Sequence, residues 1–277
     1  MPGIINWDLM WKVTHSNGLS HHGKDLVSHW DNRAQEFNRR VMKNSEWAER
    51  QVGFLGLCPH ETVLDVGAGT GRLAIPISRL VRSVTALDQS SGMLSCLQEN
   101  IRAEGIKNIR CIHKSWQDAS PDEIGAHDVV LSSNSLGVYD LREALEKMDS
   151  LAKRAVYIFT FTDHRRDDGF EEFLRRGSYG NHLYRGPASY LIVYNLLADM
   201  GILADIKILE WQSEEQFGSL EEAVASWRKM HEAPAEREAE IKEFLSMRLV
   251  REGDKLCMRR HHSQAMISWQ KGRAERA

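Results

Sequence analysis

The sequence predicts an α/β fold built on a mostly parallel sheet with helices on both faces. Three observations carry that expectation. The run Val63–Arg72, VLDVGAGTGR, takes a β-branched strand through a glycine-rich turn into a helix. Short apolar runs then alternate with helix-period segments from residue 62 to residue 161. Strands separated by helices at this spacing pair in parallel through right-handed crossovers. Finally, 277 residues with 42% hydrophobic and 27% charged content suit a large globular α/β domain with an appendage.

Residues 1–23 hold Trp7, Trp11, His15, His21 and His22 among glycines and serines, which reads as a mobile, aromatic-rich arm. Lys24–Lys43 is helical, because Leu26, Trp30, Ala34, Phe37 and Val41 recur every three or four residues. Asn44-Ser45 caps a second helix, Glu46–Leu57, and Pro59 closes it. Strands are expected at 62–66, 83–88, 109–113, 127–132 and 155–161, with helices at 71–81, 90–104 and 140–152. Pro76 falls early in the first of these helices, where it removes one ladder bond. Thr162–Tyr190 is too long for a plain connecting loop. A helix over Pro187–Met200 stops at Gly201. Asp205–Trp211 is the sixth strand, helical stretches at 219–231 and 235–249 form a second insertion, and Gln264–Trp269 is the last strand. Lys271–Ala277 reads as a frayed tail.

The glycine turn discriminates between ligands. A strand that enters a helix through such a turn sets backbone N–H groups beside a ligand. A dinucleotide loop reads G-x-G-x-x-G. Here Gly67, Gly69 and Gly71 alternate, and Arg72 stands in the third-glycine slot. No Lys-Ser or Lys-Thr comes after them, which excludes a Walker phosphate loop. Asp65, two residues before Gly67, suits a cationic amine or sulfonium better than a pyrophosphate. Ser83–Asp88 is a second strand ending in an acid, and a carboxylate there can accept both ribose hydroxyls. Single residues leave alternatives open. Gly67 and Gly69 also suit a bare tight turn, Asp88 a helix N-cap, and Met93 and Trp116 the core.

Taken together, these segments resemble the class I S-adenosylmethionine (SAM) methyltransferases. Val63–Gly71 is similar to their first motif, and Asp88 with the adjoining SSGML is similar to their D-x-S-x-x-M-L. A third strand, Ile109–His113, runs into Ser115-Trp116-Gln117-Asp118, and a fourth, Asp128–Ser132, ends at Ser133-Asn134. The resemblance spans residues 60–160. It implies a Rossmann-like seven-stranded sheet with an antiparallel last strand, an N-terminal helical lid and helical insertions. It implies SAM as cofactor and S-adenosylhomocysteine as product. Asp65, Gly67, Ala68, Gly69 and Thr70 would hold the methionine part, and Asp88 and Gln89 the ribose. Met93, Ser115, Trp116 and Gln117 would flank the adenine, with Ser133 and Asn134 at the methyl. The segment W-x-x-R-A-x-x-F, Trp30–Phe37, resembles the opening helix of many small-molecule members, which lies over the cofactor; it adds Trp30 and Arg33. The chain then divides into an arm and lid at 1–57 and a methyltransferase domain at 58–277, with insertions at about 162–190 and 213–255.

Methyl transfer from a sulfonium needs nucleophile and methyl aligned within about 3–3.5 Å and water excluded. A general base is needed only if the acceptor keeps a proton, and the sequence assigns no catalytic residue. After the fourth strand SSNSLGVY lacks proline, unlike the [N/D]-P-P-[Y/F] clamp of amino-methylating nucleic-acid enzymes. Cys58-Pro59 reverses the Pro-Cys order of cytosine-C5 enzymes, and Asp128 lacks the adjacent carboxylates of metal-dependent catechol enzymes. Net charge is −3, with no basic patch, which argues against nucleic acid and anionic membrane. His21-His22 and His261-His262 lack helical zinc-site spacing, so no metal is expected. Cys58, Cys96, Cys111 and Cys257 form no C-x-x-C pair, and no segment reads as a signal or membrane span. A cytoplasmic monomer or homodimer is expected. Its acceptor is expected to be a small molecule, touched by His29, Tyr139, His164 and Tyr184. Arg165, Arg166, Arg175, Arg176 and Arg185 would serve an acidic acceptor or a solvated face. The alternatives are a protein or RNA methyltransferase and a catalytically silent SAM-binding partner subunit.

Overall fold

The computed structural model describes residues 4–21, 26–43, 45–162, 189–231 and 233–272. Three helices come first: α1 (Trp7–His21), α2 (Leu26–Lys43) and α3 (Ser45–Gly53). The alternating section is β1 (Thr62–Val66), α4 (Ala74–Ser78), β2 (Ser83–Asp88), α5 (Ser91–Ala103), β3 (Ile109–His113), α6 (Pro121–Ile124), β4 (His127–Ser133), α7 (Leu141–Leu151) and β5 (Ala152–Phe161). Then come α8 (Ser189–Asp199), β6 (Asp205–Phe217), α9 (Leu220–His231), a 3-10 turn at Ala235–Arg237, α10 (Glu238–Arg248), β7 (Val250–Glu252) and β8 (Lys255–Gln270).

The strand order is β3-β2-β1-β4-β5-β8-β6, with β7 paired to β8 off this path. β1 pairs in parallel with both β2 and β4, so the order reverses there. β2–β3 and β4–β5 are parallel as well, and β7–β8 is antiparallel. The sheet thus carries eight strands, the seven expected ones and the three-residue β7. A ligand of such a sheet binds beyond the carboxyl ends of the strands, where the order reverses. That point lies between the ends of β1 and β4.

Four of the five β1 residues are buried, as a strand covered on both faces requires. Leu64 and Val66 join Leu141, Ala144, Leu145 and Met148 of α7 in the main core. These α7 residues recur at three and four positions, one apolar stripe. Strand alternation turns Val63 and Asp65 to the opposite face.

Within the N-terminal arm, Trp7–His21 form the helix α1, which the composition did not suggest. Trp11 is 3% exposed and its Nε1 donates to the Val138 carbonyl at 2.8 Å. Trp7 and Met10 pack against the same core. Their three- and four-residue spacing makes one helix face, which outweighs the glycines and serines nearby.

The chain divides into two compact units. One comprises Met1–Phe161, Pro187–Lys207 and Ala265–Ala277, the other Thr162–Gly186 and Ile208–Gln264. The second unit has its own core of Phe217, Val224, Trp227, Ile241, Phe244 and Leu245, with the Trp227 and Phe244 rings 5.3 Å apart. β6 runs six residues past the expected Trp211, and β8 starts nine residues before Gln264. The added β6 segment Ser213–Gln216 is polar throughout, and in the added β8 segment the buried Cys257 and Met258 are adjacent, so neither displays an apolar alternation. Among the described residues no helix is long and apolar enough to cross a membrane.

Candidate cofactor site

The glycine turn joins β1 to α4. Gly67, Gly69 and Gly71 have φ of 74°, 55° and 91°, the left-handed region that a side chain disfavours. The amides of Gly67, Ala68, Gly69 and Gly71 are occupied by the protein itself. Gly67 and Ala68 donate to the Leu87 carbonyl at 2.8 and 3.0 Å, Gly69 to the Asp88 carboxylate at 2.8 Å, and Gly71 to the Ala68 carbonyl at 3.0 Å. The expected row of free N–H groups is therefore absent at these four positions. Among the described residues no donor reaches the Gly67 and Gly69 carbonyls, and the buried Thr70 hydroxyl has no partner. The turn presents acceptors, which suit a cation.

Asp65 is 2% exposed and faces inward. Burial pushes its carboxyl up to about 7, against the pull of the Arg72 charge and the Ala74 N–H. Arg72 is a site residue that the sequence used only to reject a dinucleotide. Its guanidinium donates to Gln51 Oε1 of α3 at 2.5 Å and to Ser133 Oγ at 2.8 Å. Burial lowers its pKa and Asp65 raises it. The partners lie 21 and 61 residues away, so no local pattern could disclose them.

Asp88 is partly buried at the tip of β2. Burial raises its pKa, and the N–H groups of Ser90, Gly69 and Gln89 pull it down. Ser90 caps α5 by accepting from the Met93 N–H at 3.1 Å. The Asp88 carboxylate takes the Ser90 N–H at 2.8 Å, so it also steadies the helix entry. Gln89 is exposed, and Met93 is buried with Ala34 and Cys96.

At the tip of β4 the serines stitch the strand to the glycine turn. Ser135 Oγ donates to the Val66 carbonyl at 2.5 Å and shares a 2.7 Å bond with Ser132 Oγ. Ser135 sits against Gly67, where a Cβ would fall 2.6 Å from its hydroxyl. Between the stitches stands Asn134, exposed, with φ of 55° and its N–H on the Phe159 carbonyl. A non-glycine residue held in that conformation marks a tip fixed by its surroundings.

Above the turn lies α2. Trp30 is 37% exposed, edge-on to His29 at 5.3 Å and to Phe37 at 5.7 Å. Phe37 would lie 3.9 Å from a Cβ on Gly69, and Arg33 is partly buried. The face that α2 turns to α5 is instead Asp31, Ala34 and Asn38. Asp31 Oδ1 accepts from Ser90 Oγ at 2.5 Å and from the Gly92 N–H at 2.8 Å, which holds its pKa below the usual range. Sequence reasoning missed Asp31; the one signal was an acid seven residues before Asn38 on the helix face that carries Ala34.

Other expected contacts fall elsewhere. Trp116 is a core residue, 6% exposed, donating to the Ala144 carbonyl at 3.4 Å with Lys147 Nζ 5.0 Å from its ring. Ser115 bonds Asp118 at 2.6 Å in a local turn, and Gln117 is exposed. Tyr139 is exposed beside α1, with Lys12 Nζ 5.3 Å from its ring. His164, Tyr184 and the five arginines from Arg165 to Arg185 lie outside the described residues. In the second unit Glu214, Glu252 and Cys257 bring ligand atoms within 4.8 Å of one another. Arg259 already bridges both carboxylates, at 2.9 and 2.7 Å.

The profile of the family described as "Methyltransferase domain" matches residues 63–155, from the glycine turn to β5. The chain belongs to the class I SAM-dependent methyltransferases. This methyltransferase is 32% identical over 186 residues to an uncharacterized protein of Haemophilus influenzae, an alignment covering 66% of this chain and 67% of that one. It is 27% identical over 128 residues to the ribosomal RNA small subunit methyltransferase A of Desulforapulum autotrophicum, 45% of each chain. A solved magnesium protoporphyrin IX methyltransferase from Synechocystis PCC 6803, with S-adenosylhomocysteine bound, shares the fold at TM-score 0.51 and 13% identity, over 87% of this chain and 97% of that one. SAM is the cofactor of the family, and the donor set of the methyltransferase fits it. Acceptor carbonyls, an orphaned hydroxyl and a carboxylate at the tip of β2 match an ammonium and a ribose diol, whereas a pyrophosphate would find no amide at Gly67, Ala68, Gly69 or Gly71.

Proposed function

We propose that this methyltransferase acts on a small-molecule acceptor, with the cofactor held over the ends of β1, β2 and β4. The observation that carries the reading is the occupied amides of the glycine turn, which leave acceptors for a cationic ligand. The Gly67 and Gly69 carbonyls and the Thr70 hydroxyl would receive the ammonium. Asp88, with Gln89 beside it, would receive the ribose hydroxyls. Met93 and Phe37 offer apolar surface near these groups. When bound, SAM supplies a methyl already activated on a sulfonium. The protein then has to bind, align and exclude water, and Asn134 on its fixed tip is the polar side chain placed to orient an acceptor. The Ser-Ser-Asn-Ser tip without proline and the net charge of −3 support a small acceptor over a nucleic acid. The similarity to a ribosomal RNA methyltransferase favours RNA as the second reading.

Titration calorimetry with S-adenosylhomocysteine and with NAD tests the cofactor site. Binding of the first alone is expected, and Asp88→Ala should weaken it by about 1.5–3 kcal/mol, the scale of hydrogen bonds to a charged group. Heat with NAD and none with S-adenosylhomocysteine would overturn the reading. Radiolabelled methyl transfer into a metabolite extract or into total RNA then separates the acceptors. Label in the RNA alone would establish the second reading.

A further inference from the structure

Two hydrogen-bonded chains tie α2 to the glycine turn, one near each end of the helix's packed face. In the first, the Ser90 hydroxyl donates to Asp31 Oδ1 at 2.5 Å. The Ser90 N–H donates to Asp88 Oδ1 at 2.8 Å, and the Gly69 N–H to Asp88 Oδ2 at 2.8 Å. The route from α2 to the turn is Asp31, Ser90, Asp88, Gly69. In the second, Asn38 and Asn100 exchange amide bonds at 2.9 and 3.3 Å, and Asn100 Nδ2 also donates to the Thr70 carbonyl at 3.0 Å. Between the chains Ala34 is buried against Met93 and Cys96. Gly92 has no room for a side chain, because a Cβ there would stand 2.9 Å from the Asp31 carbonyl.

We propose that Asp31 and Asn38 are positioning residues for cofactor binding, acting on Asp88 and on Gly69-Thr70 through these two relays. The inference rests on the cofactor assignment above. Neither residue needs to touch the ligand. Asp31 holds the Ser90 hydroxyl and so fixes the residue whose backbone N–H aims one Asp88 oxygen, and the other oxygen pins Gly69. Asn38 fixes Asn100, whose amide holds the Thr70 carbonyl and so the residue carrying the orphaned hydroxyl. A helix joined to the turn at both points lowers the number of turn conformations available before a ligand arrives. That raises affinity by preorganisation, without any added ligand contact. The coupling runs through contiguous bonded groups whose arrangement both α2 and the ligand bias.

The test uses the full chain with Asp31→Ala, Asp31→Asn and Asn38→Ala. S-adenosylhomocysteine affinity is measured by calorimetry, and amide exchange at residues 67–71 by hydrogen exchange without ligand. Asp31→Ala and Asn38→Ala should each raise Kd by roughly tenfold, within the range of measured couplings. Both should also speed exchange of the Gly69 amide. Asp31→Asn keeps an oxygen for Ser90 and Gly92, so it should restore most of the affinity. Wild-type affinity with an unchanged Gly69 amide in folded Ala variants would overturn the proposal. So would an Asn variant as weak as the Ala one, since charge at the start of α5 would then be the cause. If the wild type itself binds no S-adenosylhomocysteine, the cofactor assignment falls, and the exchange data still decide whether α2 sets the turn.

Discussion

Asp65→Asn should remove a pH dependence from the stability of the fold. Asp65 is buried at the end of β1, and burial holds its carboxyl at about 7 against an ordinary value of 3.8. The nearby Asp88 charge pushes the same way, and Arg72 and the Ala74 N–H push back. Because the folded value lies above the unfolded one, the folded protein binds this proton more tightly. The contribution is complete below about pH 4 and is lost as pH rises through about 7. A separation of about three pH units corresponds to about 4 kcal/mol, at 1.36 kcal/mol per unit. Asparagine keeps an oxygen for Ala74 and does not titrate. Urea unfolding of both proteins in steps from acidic to mildly alkaline pH gives the comparison. The stability of the variant relative to wild type should climb by an amount of that order and level off above neutrality. Parallel profiles would refute the reasoning, because Arg72 would then outweigh burial and keep Asp65 ionised throughout.

Two further outcomes are expected. Gly67→Ala puts a Cβ 2.6 Å from the Ser135 hydroxyl at a φ of 74° and should cost about 2–4 kcal/mol of stability by urea unfolding, from overpacking and left-handed strain together. Ser135→Gly in the same chain should recover the overpacking share; no recovery would assign the whole cost to the backbone. Trp11→Phe strands the Val138 carbonyl and should cost about 1–3 kcal/mol, whereas an unchanged midpoint would mean that α1 is loosely held.

What the sequence disclosed was local. The strand–glycine–helix run, the acid at Asp88 and the apolar stripe of α7 are each set by neighbours a few residues apart. What it hid depends on distant partners. Trp11 reads as an aromatic in a polar arm until Val138, 127 residues on, supplies an acceptor. Arg72 reads as a motif mismatch until Gln51 and Ser133 close around it. The resemblance places Trp116 at the adenine, whereas its burial against α7 is decided by tertiary packing. The β6 extension alternates in burial, but its half-buried positions are Ser213 and Glu215, so no apolar period two marks it in the sequence. Asp31 illustrates the other limit, since a carboxylate at the start of a helix from another part of the chain has no spacing rule.

With the cofactor placed as proposed, the four occupied amides of the glycine turn would also act as a chemical filter. ATP, NAD and SAM share an adenosine half, so a carboxylate placed for the ribose gives no means of telling them apart. They differ in the group attached beyond the sugar. A phosphate entering beside Gly67 and Gly69 would face carbonyl oxygens and the Asp88 charge. It would lose its water and gain no donor from those glycines, a penalty of several kcal/mol for a buried anion. Rejection of the abundant nucleotides then requires no bulky gatekeeper. At Gly67 and Ala68 it is written into the main chain through the Leu87 carbonyl, and at Gly69 it depends on the Asp88 side chain alone.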